Sequence, residues 1–350
     1  MRIALEDDRP AWDAFVASRP EGDPLQTWAW GEVAATTGEP PQRILVERRE
    51  RIVGVAQALV RPAGFGRQVI YVPHGPVWDR DAADAPSVLT ELIDGLRSVA
   101  REVRGLVVKV DPRASVGGSG EILAGALSAN RLRRARHDLQ APSTRIVELL
   151  DGGEALMKTW HADARRLSKR SEREGVTTDV DQRAALDAVS SFHDLLEATA
   201  ERGRFRLRSL DFLQQLASSF AAADGWYVVL ARFEGRPIAG MAIPRVADRA
   251  YYLYGASLRD PDLKHKYGAY AAMAAAMRAL AQDGVRTLDM WGVLEPEDTQ
   301  ADPAWEGFSA FKRTFGGSPL RHPGTFDLVT DPAWYAAREL RERLRHRLRS

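Results

Sequence analysis

The feature that most constrains this chain is a segment written twice. The first copy reads RILVERRERIVGVAQALV (43–60), then QVIYVPHGPV (68–77); the second reads WYVVLARFEGRPIAGMAIPRV (226–246), then AYYLYGAS (250–257). In each, a β-rich run meets a short polar turn, Arg49-Glu50-Arg51 or Glu234-Gly235-Arg236, and returns through an apolar run. Ile52-Val53-Gly54-Val55-Ala56 aligns with Ile238-Ala239-Gly240-Met241-Ala242 at an offset of 186, and a third strand ends at Gly75 or Gly255. Beyond that glycine a helix-like stretch leads to a buried-strand run. SVLTELIDGLRSVAREV precedes LVVKVD, and GAYAAMAAAMRALAQDG precedes VRTLDMWGV. Two unrelated α/β stretches are the alternative. The matching spacing from Gly75 to Val107 and from Gly255 to Leu288 argues instead for a repeat.

At 350 residues the chain is long enough for about two domains, each with its own core. There is no cysteine, which removes disulfides, thiol nucleophiles and thiolate metal sites together. The seven histidines show no paired ligand spacing, so no metal is expected. A net charge of +1 argues against a surface that coats nucleic acid generally. Of 49 basic residues only six are lysine, so arginine is the default cation and each lysine carries some information. The start, MRIALEDDRPAW, has no basic segment followed by an apolar stretch, and no run reaches the ~18 apolar residues of a membrane span. A cytoplasmic protein is expected.

The repeated order, strand-hairpin-strand-strand-helix-strand, resembles the acetyltransferase-like (GNAT) fold. The expected class is therefore α/β with mixed sheets, as tandem GNAT-like domains with a cleft between them. The first domain is expected over 1–150 and the second over 151–330. A C-terminal helix over 331–350, with Leu340, Leu344 and Leu348 on one stripe, is expected to pack back on the first domain. An acetyl-CoA enzyme of this fold carries an Arg/Gln-x-x-Gly-x-Gly/Ala loop before the long helix, where backbone N–H groups hold the pyrophosphate. The corresponding LRDPDLKHKYGAYAAM has one early glycine and lacks that pattern, so no cofactor is expected.

QTWAWGEV (26–33), YVPHGPVWD (71–79), VKVDP (108–112), YYLYGAS (251–257), LDMWGV (288–293) and GFSAFKRTFGG (307–317) resemble, in order, the motifs of the Fem family. That resemblance runs from about residue 26 to residue 335. It implies an aminoacyltransferase that uses aminoacyl-tRNA as co-substrate and adds amino acids to the peptide of a cell-wall precursor. Peripheral contact with the inner membrane surface is open to the chain's basic tracts, and no stable protein partner is implied. The region 184–222 offers two amphipathic helices and no sustained heptads, which fits a compact form without a coiled-coil arm.

Transfer from an activated ester to an amine needs proximity and a cation or donor for the developing negative charge. Lys312 stands in AFKRTFGG, which resembles the family's Phe-Lys-x-x-Phe signature, where a lysine contacts substrate phosphate or the tRNA terminus. Its alternative role is a stem covering aromatic surface while the amine reaches water. Asp111 follows VVKV at a strand end, where the family has an acid that binds the acceptor; a turn aspartate before Pro112 is the structural alternative. In RGRFRLR (202–208), Arg202 and then Arg206 fall where the family places a phosphate-binding arginine, with Thr199 one turn earlier. Tyr252 and Tyr254, two apart on one strand, would share a side and reach the acceptor peptide, or pack in the core. The family's further cation after QTWAWGEV has no counterpart in Val33-Ala34-Ala35-Thr36.

Two basic tracts, KTWHADARRLSKRSER (158–173) and the terminal RLRHRLRS, suit a polyanion or a solvated face. The reading is tRNA-dependent transfer of an amino acid to a UDP- or lipid-linked precursor. Its rivals are the same transfer to a small peptide or amine in antibiotic biosynthesis, acyl-CoA-dependent N-acylation, and a non-catalytic tRNA- or precursor-binding protein.

Overall fold

The computed structural model describes residues 1–114, 119–149, 153–203, 207–263, 265–295 and 305–347. The chain divides into two compact units, Met1–Pro142 with Arg321–Ser350, and Ser143–Leu320. The boundaries thus fall ahead of residues 150 and 330. The reason is hydrogen bonding: strand 143–148 joins the second sheet, and strand 326–329 joins the first.

The sheet of the first unit runs β1 (Arg2–Ile3), β2 (Pro41–Arg48), β3 (Arg51–Gly64), β4 (Arg67–Val72), β6 (Gly105–Val110), β16 (Phe326–Val329) and β7 (Arg133–Arg134), with β5 (Val77–Trp78) also on β3. Among the described residues of this sheet only β4 and β6 pair in parallel, Tyr71 opposite Lys109 and Val72 opposite Val110. Parallel neighbours need a long crossover, supplied here by α3 (Ala85–Glu102). Val88, Leu89, Leu92, Ile93, Leu96 and Val99 recur at helical spacing along α3 and are buried against β-strand residues such as Ile44, Ile70 and Val108. Helices α1 (Arg9–Ser18), α2 (Trp28–Thr36) and α4 (Ser119–Ala129) complete the unit. Trp28 is core: it meets Trp12 edge-on at 5.9 Å, with the Arg43 guanidinium 3.7 Å above its ring.

In the second unit the order is β15 (Ser318–Arg321), β8 (Ser143–Glu148), β14 (Thr287–Asp289), β12 (Arg249–Tyr251), β11 (Arg236–Val246), β10 (Trp226–Phe233) and β9 (Val176–Asp181), with β13 (Tyr254–Ser257) also on β11. Here β12 and β14 pair in parallel, and their crossover is α9 (Gly268–Gln282), packed through Ala271–Ala276, Met277 and Leu280. The remaining helices are α5 (Gly153–Lys158), α6 (Ala162–Arg173), α7 (Leu186–Gly203), α8 (Leu210–Ala221) and α10 (Glu306–Arg313). No helix among the described residues is long and apolar enough to cross a membrane.

The two hairpins correspond, one residue out of step with the sequence alignment. Each carries a bulge at the same place, between Val46 and Glu47 and between Ala231 and Arg232, so Arg51 matches Arg236 and Gly54 matches Ala239. The side chains agree. A Cβ on Gly54 would meet Val88 and Leu92 of α3, and Ala239 lies against Gly268 of α9, whereas Gly240 faces Phe192 of α7 on the other side. A one-residue slip reverses every face of a strand, and the alignment of the two glycines concealed it.

The run 250–257 is likewise two strands, not one. β12 pairs β14, the chain breaks at Tyr252 and Leu253, and β13 continues on β11 alone. The carboxyl-terminal helix α11 (Pro332–Arg347) belongs to the first unit, held by polar contacts more than by its leucines. Tyr335 Oη donates to Asp327 Oδ2 at 2.9 Å, Lys109 Nζ donates to Asp327 Oδ1 at 2.5 Å, and Arg67 pairs with Asp331. Leu340 is 59% exposed, which corrects the expected covered stripe at that position; the side chains of Leu344 and Leu348 lie outside the described residues.

The Lys109–Asp327–Tyr335 set generates a prediction. Tyr335→Phe removes one donor to a buried carboxylate and should cost about 1–3 kcal/mol. Asp327→Ala strands Lys109 as a buried charge and should cost more, about 3–5 kcal/mol, by urea denaturation. No loss in Tyr335→Phe would mean that α11 is held by its apolar contacts alone.

Candidate active site

In the first unit Asp111 leaves the carboxyl end of β6 and is 5% exposed. Its Oδ2 accepts from Tyr71 Oη on β4 at 2.7 Å, and its Oδ1 accepts from Thr325 Oγ1 at 2.5 Å. Gln140 Nε2 donates in turn to Tyr71 Oη at 3.0 Å. Burial pushes the Asp111 carboxyl above its ordinary range, against the two hydrogen bonds and the nearby His74, which favour the ionised form. A cavity of about 10 Å³, room for one water, touches Asp111, His74, Gln140 and His322. Beside it stands a second carboxylate of opposite character. Asp23 is fully buried, 2.9 Å from His74 Nδ1 and 2.6 Å from Arg113 Nη1. Burial works against its charge, yet His74 and Arg113 prevail and hold its pKa at about 2.

In the second unit the sheet opens where β12 and β14 part after Tyr251. No strand occupies the second edge of β13 among the described residues. A pocket of about 580 Å³ lies past the end of β13, walled by Ser257, Leu258 and Arg259 and by Tyr267, Gly268 and Tyr270 at the start of α9. Tyr270 packs edge-on against Phe311 of α10 at 5.0 Å, and Phe311 against Phe315 at 5.3 Å. Two glycines past that helix, Gly316 and Gly317, take φ of 81° and 78°, where the chain turns close to the carbonyls of Thr159 and Ile146.

Lys312, next to Phe311, is 8% exposed. Its amine does not reach water, contrary to the reading of a solvated lysine with a covering stem. Nζ donates to the carbonyls of Trp291 at 3.3 Å and Gly292 at 3.1 Å, just past β14, and lies 4.8 Å from the Tyr252 ring and 5.1 Å from that of Phe308. Among the described residues no carboxylate is within ion-pair distance of it. Burial lowers its pKa to about 7, opposed by the more distant charge of Asp289, which is occupied with Thr144 Oγ1 and the Trp291 N–H.

The other expected site residues separate. Thr199 and Arg202, on α7, both bond Ser257: Thr199 Oγ1 at 3.4 Å from its N–H, and Arg202 Nη1 at 3.2 Å from its carbonyl. They brace the strand that walls the pocket. Arg206 lies outside the described residues. Tyr252 sits in the strand break against Lys312, whereas Tyr254, on β13, engages Arg208, so the two do not act as one pair on a continuous strand. The tract 158–173 is not one helix: Lys158 ends α5, and α6 begins at Ala162 with His161 as its cap.

Sequence reasoning missed Asp23, His74, Arg113, Tyr71 and Thr325. His74 and Tyr71 stood in the quoted YVPHGPVWD, but nothing in their spacing marks them as neighbours of Asp23, which reads simply as the cap it also is. The pocket was missed because half of its wall comes from the α9 start, read only for a glycine pattern it lacks.

The repeated sheet with a parallel pair, a helical crossover and, in the second unit, a splayed strand defines a tandem GNAT-type protein. Residues 158–313 match the acetyltransferase (GNAT) domain and residues 8–120 match the FemAB family. The likeness in the first unit is thus to the FemAB family and that in the second to the GNAT domain. The chain is 25% identical over 235 residues to the lipid II:glycine glycyltransferase of Staphylococcus saprophyticus, covering 65% of this chain and 55% of that one. A similar relative in Staphylococcus aureus is 26% identical over 211 residues, 58% and 49% of the two chains. The chain thus spans about half the length of the curated relatives it matches. Its fold is that of the FemX crystal structure, with a TM-score of 0.83 at 19% identity over 96% of this chain and 99% of that one.

Lys312 makes stability depend on pH in a definite direction. Unfolded, it titrates near 10.5; folded, near 7. Between those values the unfolded chain binds more protons, so stability rises with pH, and the penalty for burying the charge is complete only below about pH 7. Lys312→Met should therefore be more stable than the natural chain at neutral pH, with the gap in guanidinium midpoint closing toward about pH 10. A gap that is constant across that range would mean the amine is not penalised by burial.

Proposed function

We propose that the protein is an aminoacyltransferase that moves an amino acid from aminoacyl-tRNA to an amine on the peptide of a peptidoglycan precursor, UDP- or lipid-linked. The observation that carries this reading is Lys312: a buried cation with no carboxylate partner among the described residues, adjacent through Phe311 and Tyr270 to a pocket of about 580 Å³. A site built this way is short of negative charge, and an ester carbonyl under attack supplies it. The name of the staphylococcal relatives, lipid II:glycine glycyltransferase, supports the precursor as acceptor. No separate cofactor is needed, because the donor ester is already activated. A tRNA donor puts the protein in the cytoplasm, and a lipid-linked acceptor brings it to the inner membrane surface.

In this mechanism the acceptor amine attacks the ester carbonyl, the new C–N bond forms, and the C–O bond to the ribose breaks. The ribose oxygen leaves with the proton that the amine gives up. Lys312, protonated, donates to the oxygen on which charge develops, a contribution of about 3–4 kcal/mol for a preorganised donor. Thr199 and Arg202 hold β13 in place at the donor pocket, Arg206 is assigned to substrate phosphate, and Tyr252 keeps Lys312 aimed. Tyr254 in the second unit, and separately Asp111 in the first with its attached Tyr71 and Gln140, are each assigned to binding the acceptor.

One observation favours a second acceptor. Helix α2 ends in Val-Ala-Ala-Thr and offers no cation for a diphosphate, and the nearby Arg43 is spent on Trp28 and Glu32. A small peptide or amine without a diphosphate satisfies that geometry.

The test is transfer of labelled amino acid from charged tRNA, with UDP-linked pentapeptide, lipid-linked precursor and small peptides as separate acceptors, and acyl-CoA as an alternative donor. RNase-sensitive label on a precursor is expected, and Lys312→Ala should lower it at least tenfold, roughly 1.4 kcal/mol of barrier, with unchanged circular dichroism. Label on small peptides alone would select the second acceptor. Turnover only with acyl-CoA, or binding of tRNA without transfer, would overturn the proposal.

A further inference from the structure

We propose that the outward face of α6, together with Tyr267 at the pocket mouth, is the surface on which the RNA part of the donor lies; this rests on the tRNA-dependent reading above. Helix α6 is two-sided. Ala164, Ser168 and Ser171 form its buried stripe, and their small side chains let it sit against α9, with Ser168 Oγ 3.3 Å from the Tyr270 carbonyl. Opposite them Arg166, Lys169, Arg170 and Arg173 recur at three- and four-residue spacing. That places three cationic levels one helical turn, about 5.4 Å, apart.

The acids within reach do not cancel this stripe. Asp163 takes Arg166 at 2.9 Å, Glu174 takes Arg170 at 3.4 Å and also Lys266, and Glu172 is turned to Arg278 of α9. Lys169 and Arg173 form no ion pair among the described residues, and both are exposed. Arg165 does not join the stripe, because its guanidinium is drawn to the Trp160 and Lys158 carbonyls.

The stripe leads to the pocket. The Arg170 guanidinium lies 5.3 Å from the centre of the Tyr267 ring, and Tyr267 and Tyr270 both wall the pocket and lie in the field of Arg166. A row of cations beside an aromatic ring, ending at a cavity large enough for one terminal residue, is the combination that holds single-stranded nucleic acid. Cations follow the phosphates and a ring stacks on a base. A membrane surface would draw on the same charge but has no use for the pocket or the ring. RNA is therefore the occupant the surface favours.

The experiment measures binding of an uncharged RNA hairpin with a short single-stranded 3′ end, across a salt series, by fluorescence anisotropy. Lys169→Gln with Arg173→Gln should weaken binding about tenfold and reduce the slope of log K against log salt by about 1.4, the loss of two phosphate contacts to a single strand. Lys169→Arg with Arg173→Lys should restore both, and Arg101→Gln, an exposed cation of the first unit, should change neither. Unchanged affinity and slope in the double variant would overturn the interface, even if the natural chain transfers from tRNA. Weakened binding to phosphatidylglycerol vesicles, with RNA binding intact, would assign the face to a membrane and overturn it equally. A natural chain that binds no RNA and transfers nothing from tRNA would instead bring down the donor reading itself.

Discussion

Each sheet is organised by a parallel strand pair, β4 with β6 and β12 with β14, and such a pair requires a long crossover and cover on both faces. The crossovers α3 and α9 cover one face of each sheet, α7 lies on the other face of the second, and the antiparallel strands fill in around them. At the carboxyl ends of the pairs the ladder stops and the chain turns away, leaving groups that belong to no strand. Asp111 emerges there in the first unit, and the Trp291 and Gly292 carbonyls in the second, with Trp291 held at φ 50°. Ligand sites in α/β sheets form at these ends for that reason: the backbone is fixed up to the last paired residue and free beyond it.

What the two ends do with that freedom differs. The first unit buries two carboxylates close together and pushes them apart in proton affinity. Asp23 has Arg113 and His74 against it and stays ionised; Asp111 is buried with a phenol and a hydroxyl and is shifted upward. Environment, not residue type, sets which of the two carboxyls is pushed upward and which is held low. The second unit instead buries a cation against carbonyls, whose partial charges hold it without neutralising it.

How much of this was legible in the sequence follows from its range. The doubled element order, both hairpins and the long crossovers are local patterns, and they are present as read. The pairing of Gly54 with Gly240 misled because two glycines serving opposite faces look alike in a string, and only the hairpin register separates them. Lys312 and Asp111 could be singled out because a short motif surrounds each. Asp23, His74 and Thr325 lie far apart in the chain, and no periodicity encodes their meeting at one place. The strand break at Tyr252 was invisible for another reason. It results from β14 ending after Asp289, a fact about the neighbour and not about AYYLYGAS itself.

The choice of lysine at position 312, in a chain that otherwise uses arginine, has a physical basis in the same geometry. Arginine carries a rigid fork of five donors and stays charged at any accessible pH, so it is at home where carboxylates can meet it, as at Arg113 or Arg145. The space beside α10 offers two carbonyls and two aromatic rings and no such carboxylate among the described residues. A guanidinium there would leave most of its donors buried and unmatched. An ammonium needs three acceptors, finds two, and keeps one N–H for whatever oxygen arrives. Its charge is compact, and burial has already lowered the cost of giving up the proton. A lysine in this position is therefore both a donor poised for incoming negative charge and a group able to titrate near neutral pH, and an arginine could be only the first.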